Sequence, residues 1–305
     1  MVFILVFFCI GMFLSFTVGL GVAAWRSMSS LNYLSEKEAE ERFGCLLSRD
    51  FADVKGSFVH ESYREKTGDW DLHYIKGHNA CKTVIAVPGI SSHWTCVLKF
   101  LDPFFLEGWN ICVFDYCPQV QQGTPNKKSG SSMGIKEKTL FIKAVERIYE
   151  IFPETEKLVA IGESLGAAVA FMALPGIDKT GGKIDFLVWD CGFSSAFAET
   201  VFLIKRPGFP AFFAYPGAFT AFLIKIIAEG VNLFASSPLG TVKKVNTPVL
   251  FIHGKSDAVV PYSMSAKMYG RFKKNSRAET DLYLVEGAGH LESILVDKMT
   301  WVEKV

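Results

Sequence analysis

Lys157-Leu158-Val159-Ala160-Ile161-Gly162-Glu163-Ser164-Leu165-Gly166-Ala167-Ala168-Val169-Ala170-Phe171 runs from an apolar segment of strand character, through Gly-x-Ser-x-Gly, into an alanine-rich segment of helix character. A serine on so tight a strand-to-helix turn needs small neighbours, and Gly162 and Gly166 supply them. The turn lifts the Ser164 hydroxyl above the strand ends. It also aims the Leu165 N–H at the place where an oxyanion forms. Alone, the pentapeptide arises by chance. Between a strand and a helix it marks Ser164 as a candidate nucleophile, against the alternative of a serine that packs a helix onto a strand.

A serine hydroxyl is a weak nucleophile at neutral pH and needs a base, which in turn needs an acid to orient it. In chains with this kind of turn the partners follow in the order Ser, Asp or Glu, His, each after a strand. Asp257 fits the acid, after Phe251-Ile252-His253-Gly254-Lys255-Ser256. His290 fits the base, after Glu286-Gly287-Ala288-Gly289. His253 competes but precedes the acid, and is expected to be a hydrogen-bonded loop residue. His60, His73 and His78 read as surface residues, and His93 as a helix-start residue or pocket lining. A second oxyanion donor is expected from Val87-Pro88-Gly89-Ile90-Ser91-Ser92, where Gly89 permits close approach and the Ile90 N–H is the candidate.

The rhythm of short apolar runs continues on both sides, at residues 83–87, 109–114, 157–161, 186–189, 249–252 and 281–285. Such continuous runs are buried on both faces, which predicts a mostly parallel sheet covered by helices. Residues 138–152 have helical spacing, with Leu140, Ile142, Ala144, Val145 and Ile148 apolar. Residues 58–63 and 70–75 read as an antiparallel pair turning near Thr67-Gly68-Asp69. Residues 193–234, rich in Phe, Pro and Gly, break the rhythm between the fourth and fifth runs. An insertion there lies over the carboxyl ends of the strands, where ligands bind in open α/β sheets. It is expected to be a cap (about 193–236), with an ordinary helical layer as the alternative. Its aromatic density also suits a membrane surface.

Composition narrows the class. The 305 residues suit one large α/β domain or two small ones. With 32 basic and 31 acidic residues there is no electrostatic case for a nucleic-acid partner. The 7 cysteines are odd in number and show no Cys-x-x-Cys pair, so buried free thiols are expected rather than a zinc site. Residues 2–25 carry no charge, and roughly 20 apolar residues span a bilayer. No basic segment precedes the run and Arg26 follows it at once. A transmembrane anchor over 1–25 is therefore favoured, with a signal peptide cleaved near Ala23-Ala24 as the alternative. Arg26 draws its flank to the cytoplasm, but the acidic residues that follow carry little topological weight, so the side of the membrane stays open. Residues 26–50 read as a linker with a short helix from Glu36 to about Gly44, and 51–305 as the catalytic domain.

Three segments together resemble the α/β-hydrolase superfamily, nearest its N-terminally anchored, serine-aminopeptidase-like and carboxylesterase-like branch. They are Ile161-Gly162-Glu163-Ser164-Leu165-Gly166-Ala167-Ala168, then Ser237-Pro238-Leu239 leading to residues 247–261, then Gly287-Ala288-Gly289-His290-Leu291-Glu292. The resemblance runs from about Phe58 to the C-terminus. It implies the nucleophile, acid and base roles for Ser164, Asp257 and His290, and hydrolysis of an ester, thioester or amide with no metal or organic cofactor. Two departures stand out. The family's His-Gly after the first parallel strand is Pro88-Gly89 here, and the Arg of its Asp-x-Arg-x-x-Gly stretch is missing from Asp115-Tyr116-Cys117-Pro118-Gln119-Val120-Gln121-Gln122-Gly123. The expected function is a serine esterase acting on a hydrophobic acyl group of a small-molecule or lipid substrate and held at a membrane by its N-terminal helix. Peptidase and thioesterase chemistry are the alternatives within the fold, and a non-catalytic membrane-tethered binding protein is the alternative outside it.

Overall fold

All six continuous apolar runs form strands, each slightly longer than its apolar stretch. The computed structural model describes residues 2–29, 34–116, 131–206 and 208–305. The early pair forms β1 (Val59–Glu65) and β2 (Gly68–Ile75). The six runs form β3 (Asn79–Val87), β4 (Trp109–Asp115), β5 (Lys157–Glu163), β6 (Phe186–Asp190), β7 (Val249–Gly254) and β8 (Thr280–Val285). They join in one eight-stranded sheet of order β1-β2-β4-β3-β5-β6-β7-β8. β2 is antiparallel to both its neighbours, and β3 to β8 are parallel. The order steps outward in both directions from β3, so the strand ends near β5 face a crevice.

Alternate residues of one strand enter opposite cores, as burial on both faces requires. Ile85 and Val87 join the core with Leu158, Ala160 and the helix Leu165–Ile177. Val84 and Ala86 join the core with Ile111, Val159, Ile161 and Ile252. The helix predicted over 138–152 is Glu137–Ile151, with Leu140, Ala144, Val145 and Ile148 buried. The architecture is an α/β-hydrolase fold.

Two expectations need amending. His73 is not a surface residue but only 2% exposed. β2 is flanked by both β1 and β4, which makes it an interior strand, and the Trp94 ring stacks on the imidazole at 4.3 Å. The stretch read as a linker is also packed rather than free. Its helix Glu36–Phe43 starts on a capping box, in which Ser35 accepts from the Glu38 N–H and the Glu38 carboxylate accepts from the Ser35 N–H. Ala39 and Phe43 of that helix are buried. Residues 30–33 and 117–130 lie outside the described residues, and with them Cys117 and the stretch where the family's Arg is missing.

Residues 193–236 contain two helices, Ala196–Lys205 and Ala211–Glu229. The N-terminal run forms one helix, Val2–Ser29. Among the described residues, Cys9–Ser29 and Ala211–Glu229 are long and apolar enough to cross a membrane.

Candidate active site

β5 ends at Glu163 and the next helix begins at Leu165, so Ser164 alone makes the turn. Its backbone sits at φ 54, ψ −117, a conformation that costs of order 1–3 kcal/mol for a residue with a side chain. The Ser164 N–H donates to the Asp190 carbonyl at 2.8 Å across the strand ends, which holds the turn in place. Close packing explains the flanking glycines. A Cβ at Gly162 would lie 2.5 Å from Ala167 Cα, and one at Gly166 would collide with the Val87 carbonyl.

The other sequence-predicted residues converge on this serine. His290 Nε2 lies 3.1 Å from Ser164 Oγ, and His290 Nδ1 lies 2.7 Å from Asp257 Oδ2. With the Nδ1 proton given to Asp257, the Nε2 lone pair faces the Ser164 hydroxyl. Asp257 is fixed through both oxygens. Its Oδ1 accepts the Val259 and Val260 N–H groups at 2.8 and 2.9 Å. Its Oδ2 faces His290 and also His253 Nε2 at 3.1 Å. Burial raises the Asp257 pKa, but hydrogen bonds from His253 and His290 and their charges outweigh it and hold the carboxyl well below the usual range.

His253 is fully buried and tied down at both nitrogens. The Trp189 Nε1–H donates to Ser265 Oγ at 3.0 Å, and Ser265 Oγ lies 2.7 Å from His253 Nδ1. His253 Nε2 faces two acceptors, Asp257 Oδ2 and the Val260 carbonyl at 2.9 Å, so it carries the proton. This places His253 behind Asp257 rather than in front of Ser164. His93 caps the short helical segment Trp94–Phe100, accepting from the Thr95 N–H.

The loop with Pro88-Gly89 comes close to the nucleophile, since a Cβ at Gly89 would lie 3.3 Å from Ser164 Cβ. Other contacts brace it. The Tyr116 hydroxyl donates to the Pro88 carbonyl at 3.0 Å, and the Leu34 N–H to the Ser91 carbonyl at 2.8 Å. Leu165 is the first residue of its helix, so its N–H has no intrahelical acceptor.

Sequence reading missed a buried charge pair behind the serine. Lys99 and Glu163 are both fully buried, and Lys99 Nζ lies 2.6 Å from Glu163 Oε2. The same ammonium donates to the Leu291 carbonyl at 3.1 Å and sits 3.9 Å from the Phe43 ring centroid. One cation therefore ties the residue before Ser164 to the residue after His290. From outside, Arg42 donates to the His290 carbonyl at 3.3 Å and pairs with Glu292 at 3.0 Å. The signal was a lone lysine in the apolar run 94–101.

Glu199, on the first cap helix, is a second residue the sequence did not flag. Burial, and then the Asp257 charge, push its carboxyl up to about 8. The folded state thus holds a proton that the unfolded chain releases near pH 4.3. This stabilises the fold fully at low pH, and the contribution is lost as pH rises through about 8. Glu199→Gln is expected to melt with wild type near pH 4 and to be more stable by on the order of a few kcal/mol at pH 9. Thermal melts across that range test it, and a constant difference at all pH values would contradict it.

Among the described residues, two groups bring metal-competent atoms within 4.8 Å of one another: Cys191, Asp257 and His290, and Asp71, His73 and Asp115. In the first, burial raises the Cys191 thiol well above its usual range, which disfavours the thiolate a metal takes. In the second, His73 Nδ1 meets His60 Nδ1 at 2.5 Å, and its Nε2 faces Asp115 Oδ2 at 3.9 Å.

The family model described as serine hydrolase (FSH1) matches residues 115–290, more than half of the chain. The chain belongs to the FSH1 serine hydrolase family. The family match spans Ser164, Asp257 and His290. Among curated proteins, this serine hydrolase is similar to YqkD of Bacillus subtilis, 26% identical over 234 residues, or 76% of this chain and 72% of that protein. It is also similar to the lysophosphatidylserine lipase ABHD12 of Danio rerio, 26% identical over 162 residues, covering 53% of this chain and 39% of the lipase. Among solved structures it is similar to the Pyrococcus furiosus esterase Pf2001, with a TM-score of 0.60 and 21% identity over 84% of this chain and 93% of the esterase. At that identity the likeness carries the fold alone.

Proposed function

We propose that this serine hydrolase cleaves carboxylic esters with a hydrophobic acyl group, through a covalent acyl-enzyme on Ser164. The observation that carries the reading is the unbroken relay from Ser164 Oγ to His290 Nε2 and from His290 Nδ1 to Asp257 Oδ2, at 3.1 and 2.7 Å. His290 takes the Ser164 proton as Oγ attacks the carbonyl carbon. The carbonyl π electrons move to oxygen, and the Leu165 and Ile90 N–H groups receive the oxyanion. Asp257, ionised and fixed at both oxygens, steadies the imidazolium. The proton then passes to the leaving alkoxide. In the second half His290 deprotonates water, which attacks the acyl carbon, and the acid departs as Ser164 recovers its proton. No step calls on a metal or an organic cofactor. The apolar side chains of the cap helices, and the lysophosphatidylserine lipase among the similar curated proteins, support a hydrophobic ester.

The N-terminal helix is proposed as the membrane anchor of a catalytic domain at 51–305, with 193–236 as its cap. A fluorophosphonate probe tests the nucleophile. Intact protein is expected to label at Ser164, and labelling equal to that of Ser164→Ala would sink the assignment.

A further inference from the structure

Three neighbouring strands bring polar side chains together on one face of the sheet. His60 of β1 pairs with His73 of β2, and Asp71 of β2 pairs with Asp115 of β4. Residues two apart on a strand point to the same face, and so do cross-strand partners, so all four side chains share it. Val113, the β4 partner of His73, and Trp94, stacked on His73 at 4.3 Å, make this face part of the core. His73 and Asp115 are buried and Asp71 is half-buried. Like charges directly opposite each other destabilise a sheet, and a cation between them reverses the effect.

The His73 ring gives a second, independent sign. Its Nε2 is buried and has no hydrogen-bond partner among the described residues, and it faces Asp115 Oδ2 at 3.9 Å, too far for a hydrogen bond. Its Nδ1 lies 2.5 Å from His60 Nδ1, so one proton sits between the two rings. With that proton on His60, the His73 Nε2–H points at the carboxylate and makes no bond. With it on His73, a bare Nε2 lone pair faces a carboxylate oxygen, two acceptors across a gap. A metal ion in that gap takes the lone pair. His73 Nδ1–H then donates to His60, the arrangement that orients metal-bound histidines. The ligand atoms of Asp71, His73 and Asp115 all lie within 4.8 Å of one another. Two ligands about 2.1 Å from a tetrahedral zinc ion are about 3.4 Å apart, so closing the site takes shifts of about 1 Å. One imidazole and two carboxylates suit zinc, whereas calcium and magnesium take oxygen ligands. Half-buried Asp71 leaves a way in and a position for water as the fourth ligand.

We propose that Asp71, His73 and Asp115 bind one zinc ion, with His60 orienting the His73 ring from behind. A neutral imidazole and two carboxylates balance the charge of the ion. It ties β2 to β4 and meets no substrate. The tie braces the Pro88-Gly89 loop from two sides. Trp94, stacked on His73, follows that loop, and Tyr116, next to Asp115, donates to the Pro88 carbonyl. The inference stands whether or not the protein cleaves esters.

Full-length protein without a histidine tag is purified in detergent, stripped with EDTA and dialysed against buffer that holds free zinc at about 1 μM. Plasma mass spectrometry then counts the metal, and circular dichroism checks the fold. One zinc per chain is expected, with a higher melting temperature than the stripped protein. Asp71→Asn keeps the shape of a half-buried side chain. It is expected to weaken zinc binding by at least about 10-fold and to lose the zinc-dependent rise in melting temperature. His60→Gln, whose carbonyl can still accept from His73, is expected to retain more zinc than His60→Leu. His290→Ala is expected to bind zinc as the wild type does. Cobalt in place of zinc in the wild-type protein is expected to show the visible bands of a nitrogen–oxygen site and no thiolate charge-transfer band, a readout that needs no variant. Zinc that survives in Asp71→Asn but falls in His290→Ala would move the ion to the Cys191 group and overturn the inference. A thiolate band, the absence of retained zinc, or a melting temperature raised by calcium or magnesium and not by zinc would overturn it as well.

Discussion

Replacing His290 with alanine is expected to lower kcat/KM for a short p-nitrophenyl ester by on the order of 10^4-fold or more. His290 is the group that meets Ser164 Oγ, and without it the hydroxyl keeps its proton at neutral pH. Asp257→Asn is expected to approach the same loss for a different reason. The Asn carbonyl oxygen is drawn to the Val259 and Val260 N–H groups, so its amide NH2 takes the Oδ2 position. That group is a donor and faces His290 Nδ1. The imidazole must then accept at Nδ1 and carry its proton on Nε2, where it cannot receive one from Ser164. His290 is partly exposed, with a side chain 17% exposed, and asparagine keeps the shape of the buried Asp257 side chain, so both variants are expected to remain folded by circular dichroism. A His290→Ala protein within tenfold of wild type would show that another base serves the serine and would break the proposed mechanism.

Lys99→Met is expected to be the costliest single change outside the relay. It leaves the Glu163 carboxylate fully buried with its cation gone, and breaking a buried pair in this way costs about 3–5 kcal/mol. Urea unfolding measures the loss. Adding Glu163→Gln removes the stranded charge, so the double variant is expected to recover much of the stability. Turnover is expected to recover less, because the Leu291 carbonyl next to the base still lacks its donor. That separation of stability from kcat/KM distinguishes a residue that positions the site from one that merely fills the core. If Lys99→Met unfolds at the wild-type urea concentration, the buried pair has no such role.

Much of the fold is legible along the chain because its strongest signals are local. A strand buried on both faces must be apolar throughout, so β3 to β8 announce themselves as continuous runs. The turn at Ser164 is equally local, since its small neighbours are dictated by chain collisions within a few residues and with β3. Asp257 and His290, which the order after strands singles out as candidates, lie together with Ser164 in the fold. His73 was misread because its burial depends on β2 having a neighbour on each side, and nothing within residues 70–75 says so.

What the chain by itself determined, then, is the sheet, the tight turn at Ser164, and the order that singled out Asp257 and His290 as candidate acid and base. The order along the chain already favoured His290 over His253. Only the tertiary structure shows that both rings reach the same Asp257 oxygen and that His290 alone of the two also meets Ser164. It likewise paired Lys99 with Glu163, and the N-terminal helix with the cap. These contacts join residues far apart in the chain, and their partners are selected by distance across the folded core, a quantity that no local pattern of residue types encodes.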